Sequence, residues 1–206
     1  MQTKILSIRV GIIIVLTVCI LALALLICYP IQDFGLFGFR EIKQSSTNLA
    51  LIINDIGTSS ELPIRIKIPS IAVDSAVEYV GLTAEGYMEV PKNRDNVAWF
   101  ALGTIPGENG SAVIAGHYGF KDGKSSAFDN LHKLREGDKI LITDTMGETI
   151  SFVVRKYRRY GPDADASAVF NSDDSKSHLN LITCEGAWDD ASESYPERLV
   201  VFTDKE

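Results

Sequence analysis

Cysteine and histidine are scarce in this chain, with three of each among 206 residues. The histidines are scattered and have no paired cysteine or carboxylate spacing beside them, so the pattern predicts no metal site. Two cysteines lie in apolar sequence near the N-terminus, and only one lies in the long remainder of the chain. These residues are Cys19, Cys28 and Cys184, and His117, His132 and His178.

Charged residues are absent from 11–29, a run of 19 residues that is close to a bilayer-spanning length. Lys4 and Arg9 precede this run, whereas Gln32 and Asp33 are the first polar residues after it. Because cytoplasmic flanks carry the excess of Lys and Arg, residues before the run are predicted to be cytoplasmic and residues after it extracellular.

A removable signal fits this N-terminal run poorly. Residues 25–28 contain no small-x-small cleavage site, and Ile27 is too large for the position before a lipid-modified cysteine. An uncleaved anchor at 11–29 is therefore predicted. Cys184 is then the only exported cysteine, which excludes an intramolecular disulfide there and leaves two interpretations, a reactive thiol and a buried structural one.

The remainder of the chain is acidic, which disfavours sequence-independent nucleic-acid binding. From residue 61 onward, 24 Asp and Glu stand against 16 Lys and Arg, a net of −8. The one basic run, residues 155–160, continues an apolar strand pattern and is interpreted as a solvated strand.

Composition divides the chain into a cytoplasmic N-terminus (1–10), an anchor (11–29), a stalk rich in Gly, Ser, Thr and Asn (30–60), and a domain (61–206) of short Val- and Ile-rich runs separated by turn residues. Few helices and seven or eight short strands indicate a closed or nearly closed β-barrel, or a sandwich. Residues 126–134 are compatible with a short helix, and 161–176 form an Asp-, Ser- and Ala-rich loop that either orders over a ligand or stays mobile. Strands are predicted at 63–69, near 76–79, and at 111–116, 139–144, 148–160, 177–184 and 197–204.

Three chemically capable residues stand at strand ends. His117 follows the apolar pattern 111–116, Cys184 ends the strand pattern 177–184, and Arg198 opens the last one. If the last two strands are antiparallel neighbours, Cys184 and Arg198 face each other at one rim, and His117 joins them if its strand runs alongside. Such a set suits acyl transfer, because a thiolate is a nucleophile, histidine exchanges protons, and arginine stabilises an oxyanion.

The motifs "AVIAGHYG", "LNLITCEG" and "YPERLVVF", in this order, resemble those of the sortases, membrane-anchored cysteine transpeptidases of bacterial surfaces. The resemblance covers about 62–204 and includes "IPSIAVDSAV" and "FDNLHKLREGDKI". The family's cysteine motif is usually Thr-Leu-x-Thr-Cys, and here Asn180 replaces the first Thr. By this resemblance, Cys184 corresponds to the nucleophile, His117 to the catalytic histidine and Arg198 to the oxyanion-stabilising arginine.

The resemblance implies an eight-stranded β-barrel that cleaves a signal similar to Leu-Pro-x-Thr-Gly in exported proteins. Cys184 is then expected to form a thioester, which an amine of a cell-wall precursor or another surface acceptor resolves. Thr183 is a candidate for shaping the oxyanion site, and Trp188 for bordering the substrate groove. The implied location is the cell membrane of a bacterium with an exposed cell wall, with the catalytic domain outside.

A protein-anchoring type is favoured over a pilin polymerase, since residues 30–60 lack the Asp-Pro-aromatic lid motif and no second span follows the last strand. No cofactor is predicted; some sortases use calcium, but the acidic residues are too dispersed to assign a site.

The competing interpretation is a membrane-tethered β-domain that binds a ligand without catalysis. Papain-like peptidases place histidine after cysteine and L,D-transpeptidases use a His-Gly-Cys motif, so neither fits.

Overall fold

The computed structural model describes residues 61–120 and 123–206, which form a closed eight-stranded β-barrel. The strands are β1 (Pro63–Ile68), β2 (Val73–Val80), β3 (Val97–Phe100), β4 (Gly110–Gly116), β5 (Lys139–Asp144), β6 (Thr149–Tyr160), β7 (Ser177–Glu185) and β8 (Glu197–Lys205). Short 3₁₀ helices span Pro69–Ile71 and Leu131–Lys133, and one α-helix, α1, spans Ser167–Phe170. The barrel, rather than the sandwich, is the correct one of the two predicted architectures.

Strand order around the barrel is β1-β2-β3-β4-β7-β8-β6-β5, and β5 pairs back with β1. Two of the pairings, β2 with β3 and β4 with β7, are parallel, and the others are antiparallel. The parallel pairing of β4 with β7 brings the carboxyl ends of both strands to the same rim. It therefore determines where the residues that follow these strands meet.

The barrel interior holds the main hydrophobic core. Successive side chains of a strand point to opposite faces, so every second residue of β7 and β8 enters it. Leu179 and Leu181 from β7 join Leu199 and Val201 from β8 there. Trp99, Phe128 and Phe152 are the largest fully buried side chains of the described residues.

A second apolar cluster covers the outer face of the same strands. Val113, Val200 and Phe202 point outward and pack with Tyr160 and with Val169 of α1. Strand β7 is buried on both faces for most of its length as a result, and its polar residues His178, Asn180 and Thr183 are buried and hydrogen-bonded. The loop predicted at 161–176 thus carries a short helix against the sheet.

The basic run at 155–160 lies in β6, as predicted, and its charges are paired. Arg159 forms an ion pair with Glu185, Arg155 one with Asp204, and the guanidinium of Arg158 lies 4.6 Å from the centre of the Tyr160 ring. These contacts occur at the surface, where each contributes about 0–1 kcal/mol. The run is thus part of the barrel wall, as the sequence indicated.

Predictions for residues 1–60, including the anchor at 11–29 and the stalk at 30–60, lie outside the described residues. Across 61–120 and 123–206, no helix has the length and apolar character that a membrane crossing requires.

Candidate active site

Cys184 and Arg198 are direct partners in the antiparallel pairing of β7 with β8. Side chains of such partners lie on the same face of a sheet, with Cβ atoms about 4.5–5.5 Å apart. Arg198 is also the register partner of Tyr160 on β6. Because Cys184 alternates with the inward-facing Thr183, its thiol points to the outer face of the barrel, as Ile182 does. The predicted antiparallel arrangement of the last two strands is confirmed.

His117 follows β4 directly and lies next to the end of β7. The parallel register pairs Ala115 with Ile182, so two steps further His117 comes alongside Cys184. The Thr183 hydroxyl donates a 2.8 Å hydrogen bond to the carbonyl oxygen of Gly116, which fastens the two strand ends together. The structure therefore brings His117, Cys184 and Arg198 to one rim.

The ring orientation of His117 is set by Pro91. Its Nε2 lies 2.8 Å from the Pro91 carbonyl oxygen. A carbonyl only accepts hydrogen bonds, so Nε2 carries a proton in both the neutral and the charged ring. Proton exchange at His117 must then occur at Nδ1, the nitrogen on the opposite side of the ring from Pro91.

Close packing fixes the backbone beneath His117. A Cβ atom at Gly116 would lie 2.5 Å from the Phe128 ring, so only glycine fits there without displacement. The Phe128 amide in turn donates a 3.1 Å hydrogen bond to the His117 carbonyl oxygen. Because residue 116 is glycine, the backbone at His117 can approach the buried Phe128 closely enough for this hydrogen bond to form.

Arg198 is exposed and only partly engaged by the protein. Its Nη1 donates 3.1 Å hydrogen bonds to the carbonyl oxygens of Tyr195 and Glu197. Arginine has five N–H donors, and the three on Nε and Nη2 have no partner among residues 61–120 and 123–206. The side chain is therefore anchored at one end and keeps donors for an oxyanion beside Cys184.

The electrostatics of Cys184 combine two opposed effects. Burial raises the pKa of its thiol, while the positive charges of Arg198 and Arg94 act in the opposite direction, and burial prevails. The thiol is thus predominantly protonated at neutral pH in the free protein. Arg94 was not among the residues that the sequence indicated, because it lies in a polar turn with no motif around it.

The two candidate substrate-contacting residues lie in different settings. Thr183 is 3% exposed, and its side chain is on the inner face, so it joins β7 to β4 instead of lining the outer groove. Trp188 is 51% exposed, which leaves one side of its ring open to solvent. It packs edge-on against Tyr195 at 5.1 Å, and Tyr195 packs against Tyr118 at 5.4 Å, so an aromatic cluster borders the site.

The other two histidines lie apart from the site. His178 is 4% exposed and bridges Asp174 and Asp204, with 2.8 Å from each ring nitrogen to a carboxylate oxygen. Its two hydrogen bonds connect β8 to the loop before β7. His178 lies six residues before Cys184 on the same strand. His132 is exposed on the 3₁₀ helix at Leu131–Lys133. The predicted helix at 126–134 is limited to that one turn.

Metal-binding clusters of three or more His, Cys, Asp or Glu residues are absent from the part of the chain that the structure describes. The side chains that meet at this rim are a thiol, an imidazole and a guanidinium group. A thiol, a ring that can exchange protons beside it and free cationic donors on the neighbouring strand are the groups that thiol-dependent acyl transfer requires.

Comparison with known proteins identifies the family. The family model of the sortase domain matches residues 66–206, so the chain belongs to the sortases and is a cysteine transpeptidase. No curated protein sequence matches it.

Solved sortases share the fold. Sortase A of Corynebacterium diphtheriae, as a lid mutant, is similar at 25% identity and a TM-score of 0.59, over 80% of this chain and 81% of that one. A sortase C of Streptococcus agalactiae has 20% identity and a TM-score of 0.59, over 78% and 76%. A sortase C of Clostridium perfringens has 20% identity and a TM-score of 0.53, over 85% and 92%. The similarity therefore extends to sortases of more than one type.

Proposed function

We propose that this sortase cleaves a signal similar to Leu-Pro-x-Thr-Gly in exported proteins and joins the acyl fragment to an amine of the cell wall or another surface acceptor. The observation that carries the proposal is the direct pairing of Cys184 with Arg198, with His117 at the adjoining end of β4. Cys184 is the nucleophile, His117 the proton carrier and Arg198 the oxyanion donor.

The first half-reaction forms a thioester. Nδ1 of His117 takes the proton of the Cys184 thiol, and the thiolate attacks the carbonyl carbon before the scissile bond. The oxyanion receives hydrogen bonds from the free N–H groups of Arg198. Collapse restores the carbonyl and breaks the C–N bond, and Nδ1 of His117 delivers its proton to the departing amine. The C-terminal fragment leaves, and the N-terminal fragment stays bound to sulfur.

The second half-reaction consumes the thioester. The acceptor amine attacks the same carbonyl carbon and gives a proton to Nδ1 of His117. The C–S bond then breaks, the thiolate is the leaving group, and it takes the proton back from Nδ1 of His117. One amide bond is broken and one formed, so no oxidant or reductant is required.

The decisive experiment incubates the full chain, purified in detergent, with a Leu-Pro-x-Thr-Gly peptide and an amine. Mass spectrometry is expected to find a thioester on Cys184 and a transpeptidation product. Both should be lost in Cys184→Ala and His117→Ala, and both retained in the matched control His132→Ala, an exposed histidine. Cleavage that persists in Cys184→Ala would refute the mechanism, and failure with a broad peptide panel would favour a ligand-binding domain.

The anchor and the subclass belong to the same proposal. Residues 11–29 hold the enzyme in the membrane with the barrel outside, and the protein-anchoring type is supported by the lack of an Asp-Pro-aromatic motif in 30–60. Protease added to intact cells is expected to digest 61–206 and spare residues 1–10. Ladders of linked substrate proteins, instead of single wall-linked products, would indicate a pilin polymerase.

A further inference from the structure

The segment 91–96, between β2 and β3, is held in a fixed conformation by one carboxylate. Glu78 of β2 accepts hydrogen bonds from the Lys92 amide at 2.8 Å, the Asn93 amide at 3.1 Å and Asn96 Nδ2 at 2.9 Å. Because charge-assisted hydrogen bonds are about twice as strong as neutral ones, these three bonds define the shape of the segment.

Arg94, in the middle of that segment, reaches the chain just beyond His117. Its Nη2 lies 2.8 Å from each of the carbonyl oxygens of Tyr118 and Gly119, and 2.5 Å from Ser126 Oγ. The Ser126 hydroxyl itself donates to the Gly119 carbonyl at 2.6 Å. Arg94 Nε is buried and has no partner within 61–120 and 123–206. The guanidinium is thus fixed by one nitrogen.

The same segment holds the His117 ring, through the carbonyl of Pro91. His117 is therefore restrained from the segment 91–96 at two points, its Nε2 and the backbone that follows it. The positive charge of Arg94 also acts on Cys184, in the same direction as that of Arg198.

We propose that Arg94 is a positioning residue for the transpeptidation reaction, which holds the 117–119 turn so that Nδ1 of His117 faces Cys184 and which adds a second permanent positive charge beside the thiolate. This inference rests on the proposed function, because it assigns Arg94 to the same reaction. It differs from the role of Arg198, whose free donors contact the substrate oxyanion.

Few other charged groups near Cys184 could stabilise its thiolate. Glu185, the nearest carboxylate along β7, is paired with Arg159. The other ionisable groups around the site belong to β6, to the segment after β4, to the β7–β8 connection and to the start of β8, and they are Tyr160, His117, Tyr118, Asp129, Tyr195, Glu197 and Arg198. The Asp129 carboxylate accepts hydrogen bonds from the Gly119 amide at 2.6 Å and the Ser126 amide at 3.0 Å. Arg94 and Arg198 are thus the two permanent cations that act on Cys184.

The test is alkylation of Cys184 by iodoacetamide across a pH range, measured by mass spectrometry of the peptide that carries it, on the full chain in detergent. It needs no peptide substrate, so it is independent of the sorting signal. Arg94→Gln should move the alkylation profile to higher pH and slow the reaction at pH 7.5 by about 3- to 10-fold, because the thiolate loses one stabilising cation. Lys92→Gln removes an exposed cation from the same segment and should leave the profile unchanged.

Two further variants separate charge from position. Arg94→Lys keeps the charge, but its side chain ends one bond short of the Nη2 position that contacts Tyr118 O, Gly119 O and Ser126 Oγ, so it should retain the alkylation profile and lower kcat about 10-fold, with little change in KM. Ser126→Ala leaves the guanidinium in place and should likewise lower kcat alone. An Arg94→Gln profile that overlays the wild type, or an Arg94→Lys enzyme with normal kcat, overturns the proposal. If Arg94→Gln does not fold, Arg94→Lys and Ser126→Ala still decide the positioning role.

Discussion

The hydroxyl of Thr183 donates a 2.8 Å hydrogen bond to the carbonyl oxygen of Gly116, across the parallel pairing of β7 with β4. The residues that follow these two in sequence are Cys184 and His117. One buried hydrogen bond therefore aligns the strand ends that carry the nucleophile and the proton carrier of the proposed reaction.

Removal of that bond should affect both stability and turnover. Thr183→Val keeps the shape of the side chain but leaves the buried Gly116 carbonyl without its partner, which costs about 1–3 kcal/mol. The midpoint of urea unfolding should fall accordingly, and kcat should fall because the two strand ends separate. Thr183→Ser, which keeps the hydroxyl, serves as control; if it is as impaired as Thr183→Val, the bond is not the cause.

Gly116→Ala should destabilise the protein by overpacking. The added Cβ would meet the Phe128 ring at 2.5 Å, and such overpacking typically costs about 1–3 kcal/mol. We also expect kcat to fall, since the displaced backbone carries His117. Gly161→Ala is the matched control, because nothing lies within 4 Å of its Cβ position. Equal unfolding midpoints for the two variants would contradict the packing argument.

Arg198→Ala should lower kcat by about 10²- to 10³-fold, as the loss of an oxyanion donor does in other acyl-transfer enzymes. Single-turnover thioester formation on Cys184 measures the effect. The exposed Arg135 offers a comparison, and Arg135→Ala should react at the wild-type rate. An unchanged rate in Arg198→Ala removes this residue from the oxyanion role.

The thiol of Cys184 should make stability fall at alkaline pH. Burial raises its pKa in the folded protein, so the folded state binds the thiol proton more tightly than the unfolded state does. This contribution is complete below the ordinary thiol pKa of about 8.5 and is lost as pH rises through the folded value. Urea midpoints of wild type and Cys184→Ala should therefore diverge above about pH 8.5, with the wild type losing more. Parallel curves would exclude a raised pKa.

Asn180 should hold α1 against the barrel. Its Nδ2 donates a 2.6 Å hydrogen bond to the Val169 carbonyl oxygen, and the Asn180 side chain is only 1% exposed. Asn180→Ala should cost about 1–3 kcal/mol locally and speed amide hydrogen exchange in 166–171. Asn171→Ala, which removes an exposed hydrogen bond to the carbonyl of Ser167, should have a smaller effect. Unchanged exchange in Asn180→Ala would show that apolar packing alone retains the helix.

Much of the barrel was predictable, because seven of its eight strands are runs rich in Val, Ile and aromatic residues that turn residues separate. Strand β3 was missed. Its residues Val97, Ala98 and Trp99 are all fully buried, so four residues without alternation follow a polar turn and give no two-residue period. Helix α1 was missed for a related reason, since a four-residue helix in an Asp- and Ser-rich loop has too few turns to show a 3.6-residue period.

The candidate site likewise contains residues that the sequence predicted and one that it did not. The sequence indicated three site residues because they lie at strand ends, namely Cys184, His117 and Arg198. The pairing of β7 with β4 and with β8 is sufficient to bring them to one rim. Arg94 lies in the connection between β2 and β3, where neither a strand end nor a motif identifies it. It precedes the Tyr118 and Gly119 carbonyls by 24 and 25 residues, and that contact depends on the path of segment 91–96, which Glu78 fixes through backbone amides. Side-chain identity alone does not encode such contacts.

Strand β8 comes last in the chain yet lies between β7 and β6 in the barrel, with eight register partners on each side. During synthesis, therefore, the final residues must arrive before the sheet can close and before Cys184 acquires Arg198. The pairing of Cys184 with Arg198 spans only 14 residues, whereas the pairing of β4 with β7, as in Val113 with Asn180, spans 67 and is expected to form more slowly. The thiol consequently gains the positive charge of Arg198 only when β8 has joined the sheet, and chains that still lack β8 carry Cys184 without that cation.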